Sequence, residues 1–142
     1  MKTLAEAFHH TLQDIYYAEN ALVKAHLAET KKQVTILNEV FVLLKEKPAG
    51  QKCDAIEGLL KEADGIIEEA SGVALDASLI AAAQAVEHYE IARYGTLREW
   101  AKVLGMDEIH DLLSEILDME KAANSKLTNL AVTTINKAKK AA

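Results

Sequence analysis

The chain has 142 residues, the length of one ordinary domain with enough material for a hydrophobic core. Half of the residues are hydrophobic and only 5% are aromatic, a composition typical of helical proteins rather than β-sheet proteins. The net charge of −6 argues against a nucleic-acid-binding protein, because such proteins carry a basic face. The only basic cluster is the tail with Lys137, Lys139 and Lys140, which we expect to be a solvated helix end.

The cellular compartment is indicated by three features of the sequence. Cys53 is the only cysteine, so an internal disulfide is excluded and a reducing compartment fits. The first six residues lack the apolar run of a signal peptide. No stretch approaches the ~20 consecutive apolar residues that a membrane-spanning helix needs. We therefore expect a cytoplasmic protein without a membrane partner.

The first segment, Thr3 to Glu46, contains no glycine, no proline and no turn cluster, and its apolar residues recur at helical spacing. A single helix of this length would extend about 65 Å, which is more than a globular bundle needs. Two interpretations remain open. Either one long helix is present and exchanges a segment with a partner chain, or a connection is missing near Ala25 and His26.

The clearest break in the chain contains Pro48 and Gly50. Asp54 follows it and stands three residues before Glu57, which is an acidic variant of the capping box that begins helices. We predict a short additional helix over 54–70, ended by the serine and glycine that follow it.

Two long helices complete the chain. The first is predicted to start at Asp76 or a neighbour and to run to Leu104, with Gly105 as the residue that terminates it. The second is predicted from Asp107 to about Thr134 or beyond. No segment alternates with the period of a strand, so we predict one all-α domain over residues 1–142.

Acidic residues interrupt the apolar stripes of the long helices, where charged side chains are not expected. A single case has an ordinary explanation, because a glutamate at the edge of a stripe can reach water. Several buried carboxylates would be costly and would repel one another. The residues concerned, together with one histidine on a mixed face, are Glu19, His26, Glu29, Glu87, Glu90 and Glu120.

A divalent cation removes this cost, because carboxylate oxygens are among its preferred ligands. The pattern therefore favours two metal ions held between helices, as in di-iron and di-manganese carboxylate bundles. The usual Glu-x-x-His motif is absent, but His26-x-x-Glu29 and Glu87-x-x-Glu90 also place two ligands on one helix face. A site rich in oxygen favours iron, with manganese as the alternative, over zinc or copper.

The remaining histidines are weaker ligand candidates. His9 and His10 are neighbours that point to different faces, so we expect both to be solvated. His88 flanks the predicted site, where packing or support of a ligand is expected rather than metal binding. The sequence has no Gly-rich phosphate loop, no nucleophile elbow and no paired-cysteine metal site.

Long stretches of the sequence resemble the YciE/YciF family of bacterial ferritin-like proteins. The resemblance covers nearly the whole chain, and its most specific parts are KPAGQKCDAIEGL and AAAQAVEHYEIARYGTL. It implies a ferritin-like, rubrerythrin-like antiparallel four-helix bundle with an additional short helix, a homodimer, a di-metal centre and a link to stress responses. The metal ligands that it implies are the same six residues: Glu19, His26, Glu29, Glu87, Glu90 and Glu120. The resemblance also leads us to expect that the connection near Ala25 and His26 is missing.

Two functional hypotheses follow. The first is a di-iron or di-manganese protein that handles iron, oxygen or peroxide, with no catalytic acid or base that can be named. The second is a non-catalytic dimeric helical protein with a vestigial site, in which Arg93, Lys31 or water would satisfy the carboxylates. The two differ in whether Glu19, Glu87 and Glu120 converge.

Overall fold

The computed structural model describes residues 3–22 and 28–135, with side chains described for 3–13 and 28–133. This part of the chain is helical and contains no strand, so the all-α prediction is confirmed. A π-helical turn, Ala131–Ile135, extends the last helix. None of the described helices is long and apolar enough to cross a membrane. The α-helices are α1 (Leu4–Leu22), α2 (Ala28–Leu43), α3 (Asp54–Glu69), α4 (Gly72–Val103) and α5 (Asp107–Leu130).

The first segment forms two helices that pack against each other, α1 and α2. One straight helix could not make such contacts, so the interpretation as a single long helix is wrong. A reciprocal capping box begins α1. The Thr3 amide donates to Glu6 Oε2 and the Glu6 amide donates to Thr3 Oγ1, both at 3.1 Å. The predicted break near Ala25 and His26 lies outside the described residues.

The chain divides into two compact units. The first draws on Met1–Cys53 and Ala92–Asp118, and the second on Asp54–Ile91 and Met119–Ala142. Helices α4 and α5 therefore contribute to both. Neither unit is a continuous piece of the chain, and one domain over residues 1–142 stays a prediction.

Apolar burial is uneven between the units. The first unit holds most of the described buried apolar side chains, including Phe8, Leu37, Tyr94 and Leu113. Among the described residues of the second unit, the buried apolar side chains are Ile56, Ile80 and Val86, and they are accompanied by the buried Glu90 and Glu120. Carboxylates thus occupy a large part of the interior of the second unit.

The start of α4 differs from the sequence prediction. Helix α4 begins at Gly72 rather than at Asp76, because the Ser71 carbonyl already accepts a bond from the Leu75 amide (3.3 Å). The last helix was predicted to reach about Thr134 or beyond, and helical structure is described as far as Ile135: α5 runs to Leu130 and the π-helical turn follows it.

Gly105 terminates α4 as predicted, with a φ of 71°. Its amide donates to the Lys102 carbonyl (3.1 Å) and the Met106 amide donates to the Ala101 carbonyl (2.8 Å). This pair of bonds is the Schellman motif, which requires the left-handed conformation that glycine adopts without strain.

Helix α2 ends in the same geometry without a glycine. Lys45 has a φ of 59°, its amide donates to the Val42 carbonyl (2.9 Å), and the Glu46 amide donates to the Phe41 carbonyl (3.0 Å). A residue with a Cβ is strained in this region, so Lys45 is an unfavourable choice at this position.

The predicted solvation of His9 and His10 is wrong in part. His9 Nδ1 lies 2.8 Å from Glu46 Oε2, and His10 Nε2 lies 2.8 Å from Gln51 Nε2. Both histidines therefore contact the segment that follows α2. His10 is exposed and His9 is half-buried.

Candidate metal centre

Helices α4 and α5 bring three carboxylates together in the second unit. Glu87 and Glu90 are one turn apart on α4 and Glu120 lies on α5, so the helical spacing places the first two on one face. Each residue offers one carboxylate oxygen, and these three oxygens lie within 4.8 Å of one another. We call Glu87, Glu90 and Glu120 the carboxylate cluster.

The carboxylate cluster is largely shielded from water. Glu90 and Glu120 are each 2% exposed, and Glu87 is half-buried. Two ionised carboxylates 4.8 Å apart repel each other by about 3 kcal/mol at an effective dielectric constant of about 20. The repulsion of three such pairs would cancel much of the free energy of unfolding of a domain, which is normally about 5–15 kcal/mol. This charge must therefore be reduced by protons or a cation, or offset by the interactions that each of the three residues makes.

The donor atoms fit a hard divalent cation. Oε2 of Glu87 and Oε1 of Glu90 are buried and receive no hydrogen bond from the described residues. Each residue of the cluster nevertheless takes part in a hydrogen-bond or electrostatic interaction. All the donors of the cluster are oxygens, which suit Fe²⁺, Mn²⁺ and similar hard ions better than Cu⁺ or structural zinc.

Of the other three predicted ligands, Glu29 alone has a described side chain. Glu29, in the first turn of α2, is exposed and lies outside the cluster. Glu19 lies on α1, but its side chain is not among those described, and His26 lies outside the described residues. Glu29 was predicted as a ligand from a helix face that mixes polar and apolar residues. On α2 the Glu29 side chain is exposed to water, whereas the polar residues Thr30 and Gln33 are buried.

Three polar residues beside the cluster were not predicted from the sequence. Gln84 Nε2 donates to Thr128 Oγ1 (2.7 Å) and to Asn124 Oδ1 (3.4 Å). We call Gln84, Asn124 and Thr128 the polar seam. Gln84 stands three residues before Glu87 on α4, and Asn124 and Thr128 stand four and eight residues after Glu120 on α5. Residues at these spacings share a helix face, so their distance from the glutamates is the sequence signal that could have identified them.

His88 does not point into the cluster. Its side chain is exposed, and its Nδ1 lies 2.8 Å from the backbone carbonyl oxygen of Gln84, to which it donates. The expectation that His88 is not a ligand therefore agrees with its position.

The fold and the cluster define an all-helical protein in which two helices converge on three carboxylates, two of them buried. The chain belongs to the DUF892 family, described as a domain of unknown function, whose model matches residues 21–140. It is 41% identical to Protein YciF of Escherichia coli (strain K12), over 96% of this chain and 95% of that protein. The predicted resemblance to the YciE/YciF family is confirmed.

Two solved structures are similar to this chain. The crystal structure of the E. coli stress protein YciF matches with a TM-score of 0.90 and 41% identity, covering 96% of this chain and 99% of that one. YcfI of Rhodopseudomonas palustris, provisionally described as a structural protein, matches with a TM-score of 0.85 and 46% identity. That match covers 89% of this chain and 94% of YcfI. These likenesses confirm the helical-bundle prediction.

The alignment with Protein YciF also bears on the length of the chain. It extends over 158 residues, more than the 142 of this chain, so the relative has residues opposite gaps in this sequence. That the gap falls near Ala25 and His26 stays a prediction.

Proposed function

We propose that the chain binds two divalent metal ions, iron or alternatively manganese, and uses them to handle iron, oxygen or peroxide. The observation that carries this proposal is the convergence of three carboxylate oxygens within 4.8 Å, on residues of which two are 2% exposed. Such a group gains most from a cation, because the cation removes the repulsion and replaces lost hydration.

The residues of the cluster have different parts in this proposal. Glu90 and Glu120 would hold the metal away from bulk water, and the half-buried Glu87 would complete its coordination from the side nearer the solvent. A second metal ion requires further donors, for which Glu19 and His26 remain the predicted residues. Bound iron or manganese would supply redox chemistry toward oxygen or peroxide.

The wider setting is part of the same proposal. The relative YciF is called a stress protein, and we infer a stress-related role for this chain as well. We also infer a ferritin-like arrangement, a cytoplasmic location and a homodimer, as the family resemblance implies.

The test uses protein stripped of metal, reloaded anaerobically with iron(II) and then exposed to oxygen or hydrogen peroxide. We expect an optical change and consumption of the oxidant at a rate above that of free iron(II). Glu120→Gln should abolish the excess, whereas Glu99→Gln, an exposed glutamate on α4, should preserve it. If wild type and Glu120→Gln consume oxidant equally, the proposed redox role is wrong.

A structural role is the second candidate function. It is favoured by the exposure of Glu29, which reduces the number of predicted ligands, and by the description of the similar YcfI as a structural protein. Under this alternative the cluster is vestigial, and protein without metal should have the same thermal stability and oligomeric state as protein with metal.

A further inference from the structure

The polar seam continues directly from the carboxylate cluster along the same two helices. On α4, Gln84 follows Glu90 and Glu87 at steps of three residues. On α5, Asn124 and Thr128 follow Glu120 at steps of four residues. The hydrogen bonds from Gln84 to Asn124 and Thr128 show that these faces meet. Carboxylates, amides and a hydroxyl therefore form one continuous polar strip.

Exposure increases steadily along this strip. Glu90 and Glu120 are 2% exposed, Gln84 and Asn124 are half-buried, and Thr128 is exposed. In the opposite direction, one turn beyond the cluster on each helix, Tyr94 and Ile116 are fully buried. The strip is thus open to solvent at one end, and the helices carry buried apolar or aromatic side chains at the other.

A divalent cation enters a buried site only if other oxygens replace its water molecules on the way. Both side-chain hydrogen bonds that Gln84 makes to described residues use Nε2, so among these residues its amide oxygen Oε1 is left for water or for a passing cation. The half-buried Glu87 lies one turn further inward and presents the first carboxylate on this path.

We infer that the polar seam is the route by which a divalent cation enters the carboxylate cluster, with Gln84 as the residue that receives it at the mouth. This inference rests on the proposed metal site and adds to it the path of loading. A residue on the path changes the barrier alone, so it should alter the rates of uptake and release equally and leave the affinity unchanged.

The experiment measures how fast protein stripped of metal takes up manganese(II). Protein and Mn²⁺ are mixed, excess chelator stops the reaction at set times, and retained manganese is counted by elemental analysis. We expect Gln84→Leu, which keeps the size but removes the polar atoms, to slow uptake by about tenfold. Thr128→Val should slow it less, because Thr128 lies at the exposed end, and Gln84→Glu should take up metal at least as fast as wild type.

Matched controls are available in the first unit. Gln13→Leu replaces a half-buried glutamine of α1, and Thr35→Val replaces an exposed threonine of α2, so both should load at the wild-type rate. Equilibrium affinity and thermal stability are measured for every variant.

Three results would overturn the inference, and they are distinguishable. If Gln84→Leu loads as fast as wild type to the same stoichiometry, the metal enters elsewhere and only the entry route is wrong. If Gln84→Leu loses affinity and stability together, Gln84 has a structural role instead. If wild type retains no manganese and no iron, the proposed metal site itself is wrong.

Discussion

Glu90 and Glu120 are the residues that most constrain what this protein does, because each is 2% exposed and each faces other carboxylates. An ionised side chain in this position is stable only with a compensating charge. Glutamine has nearly the same shape and no charge, so substitution separates the electrostatic part of the cluster from its packing.

Glu120→Gln should weaken metal binding and not weaken the metal-free protein. We expect affinity for Mn²⁺ to fall by more than about 100-fold, because the loss of a direct ligand costs at least as much as the loss of a supporting residue. Without metal, the midpoint of thermal unfolding should stay equal or rise, because one repelling carboxylate is removed. Calorimetric titration and thermal melts measure the two effects.

The control for this prediction is Glu99→Gln on the same helix as Glu87 and Glu90, where the side chain is exposed. It should change neither quantity. A metal-free Glu120→Gln protein that is clearly less stable than wild type would contradict the account, because the carboxylate would then be a stabilising partner without metal.

The candidate site was predictable where charge conflicted with an apolar pattern. Glu87, Glu90 and Glu120 interrupt stripes of helices whose direction the spacing fixes, and all three converge. Glu29 lies on a mixed face, so the spacing did not decide which side is buried, and its role as a ligand stays a prediction. Gln84, Asn124 and Thr128 were missed because amides and hydroxyls are ordinary on helix surfaces and do not stand out.

At the scale of elements, α2 and α4 end in the same Schellman geometry with different residues. Gly105 adopts a φ of 71° without strain, whereas Lys45 is held at 59°. A left-handed conformation costs a residue with a Cβ roughly 1–2 kcal/mol. Introducing glycine at the end of α2 and removing it from the end of α4 should therefore change the free energy of unfolding in opposite directions.

Lys45→Gly should raise the free energy of unfolding by about 1 kcal/mol, and Gly105→Ala should lower it by about 1 kcal/mol or more. A Cβ at Gly105 would meet nothing within 4 Å, so the effect there comes from the backbone alone. Chemical denaturation with metal-free protein measures both changes.

Gly95 provides the matched control within α4. It lies in the helix interior without a positive φ, and an added Cβ would meet nothing within 4 Å. Gly95→Ala should therefore stabilise by roughly 0.5–1 kcal/mol, opposite in sign to Gly105→Ala. Equal effects of the two alanines would show that left-handed strain does not explain the helix ends.

Element boundaries were predictable where glycine and proline mark them. The break around Pro48 and Gly50 placed the short helix at 54–70, and α3 is observed at Asp54–Glu69. The start of α4 was predicted too late, because Ser71 and Gly72 serve the beginning of this helix as well as the end of α3. The same break marks the end of α2 only roughly, because α2 ends at Leu43 and a lysine, Lys45, occupies the position that glycine usually takes.

At the scale of the molecule, the first unit contains most of the described apolar core, whereas the second buries two glutamates beside few apolar side chains. Stability of the second unit should therefore depend on what neutralises those carboxylates. A metal that binds only the folded form adds stability by mass action, and this gain should be concentrated where its ligands lie.

Hydrogen exchange with and without Mn²⁺ tests this uneven dependence. We expect metal to slow amide exchange in 80–91 and 119–128, which carry the cluster and the seam, and to leave most of 92–118 unchanged. The Glu120→Gln protein should show no such difference. Equal protection of 92–118 and of the two segments that carry the cluster and the seam would contradict local stabilisation by the cluster.

The central claim, that the carboxylate cluster binds divalent metal, is tested most directly by counting ions per chain. Protein stripped of metal is loaded anaerobically with iron(II), passed through a desalting column and measured by elemental analysis, with a parallel sample in manganese(II). We expect two retained ions per chain in wild type and in Glu99→Gln, and a loss of retained metal in Glu90→Gln and Glu120→Gln. Wild-type protein that retains neither iron nor manganese would show that the carboxylate cluster does not bind divalent metal.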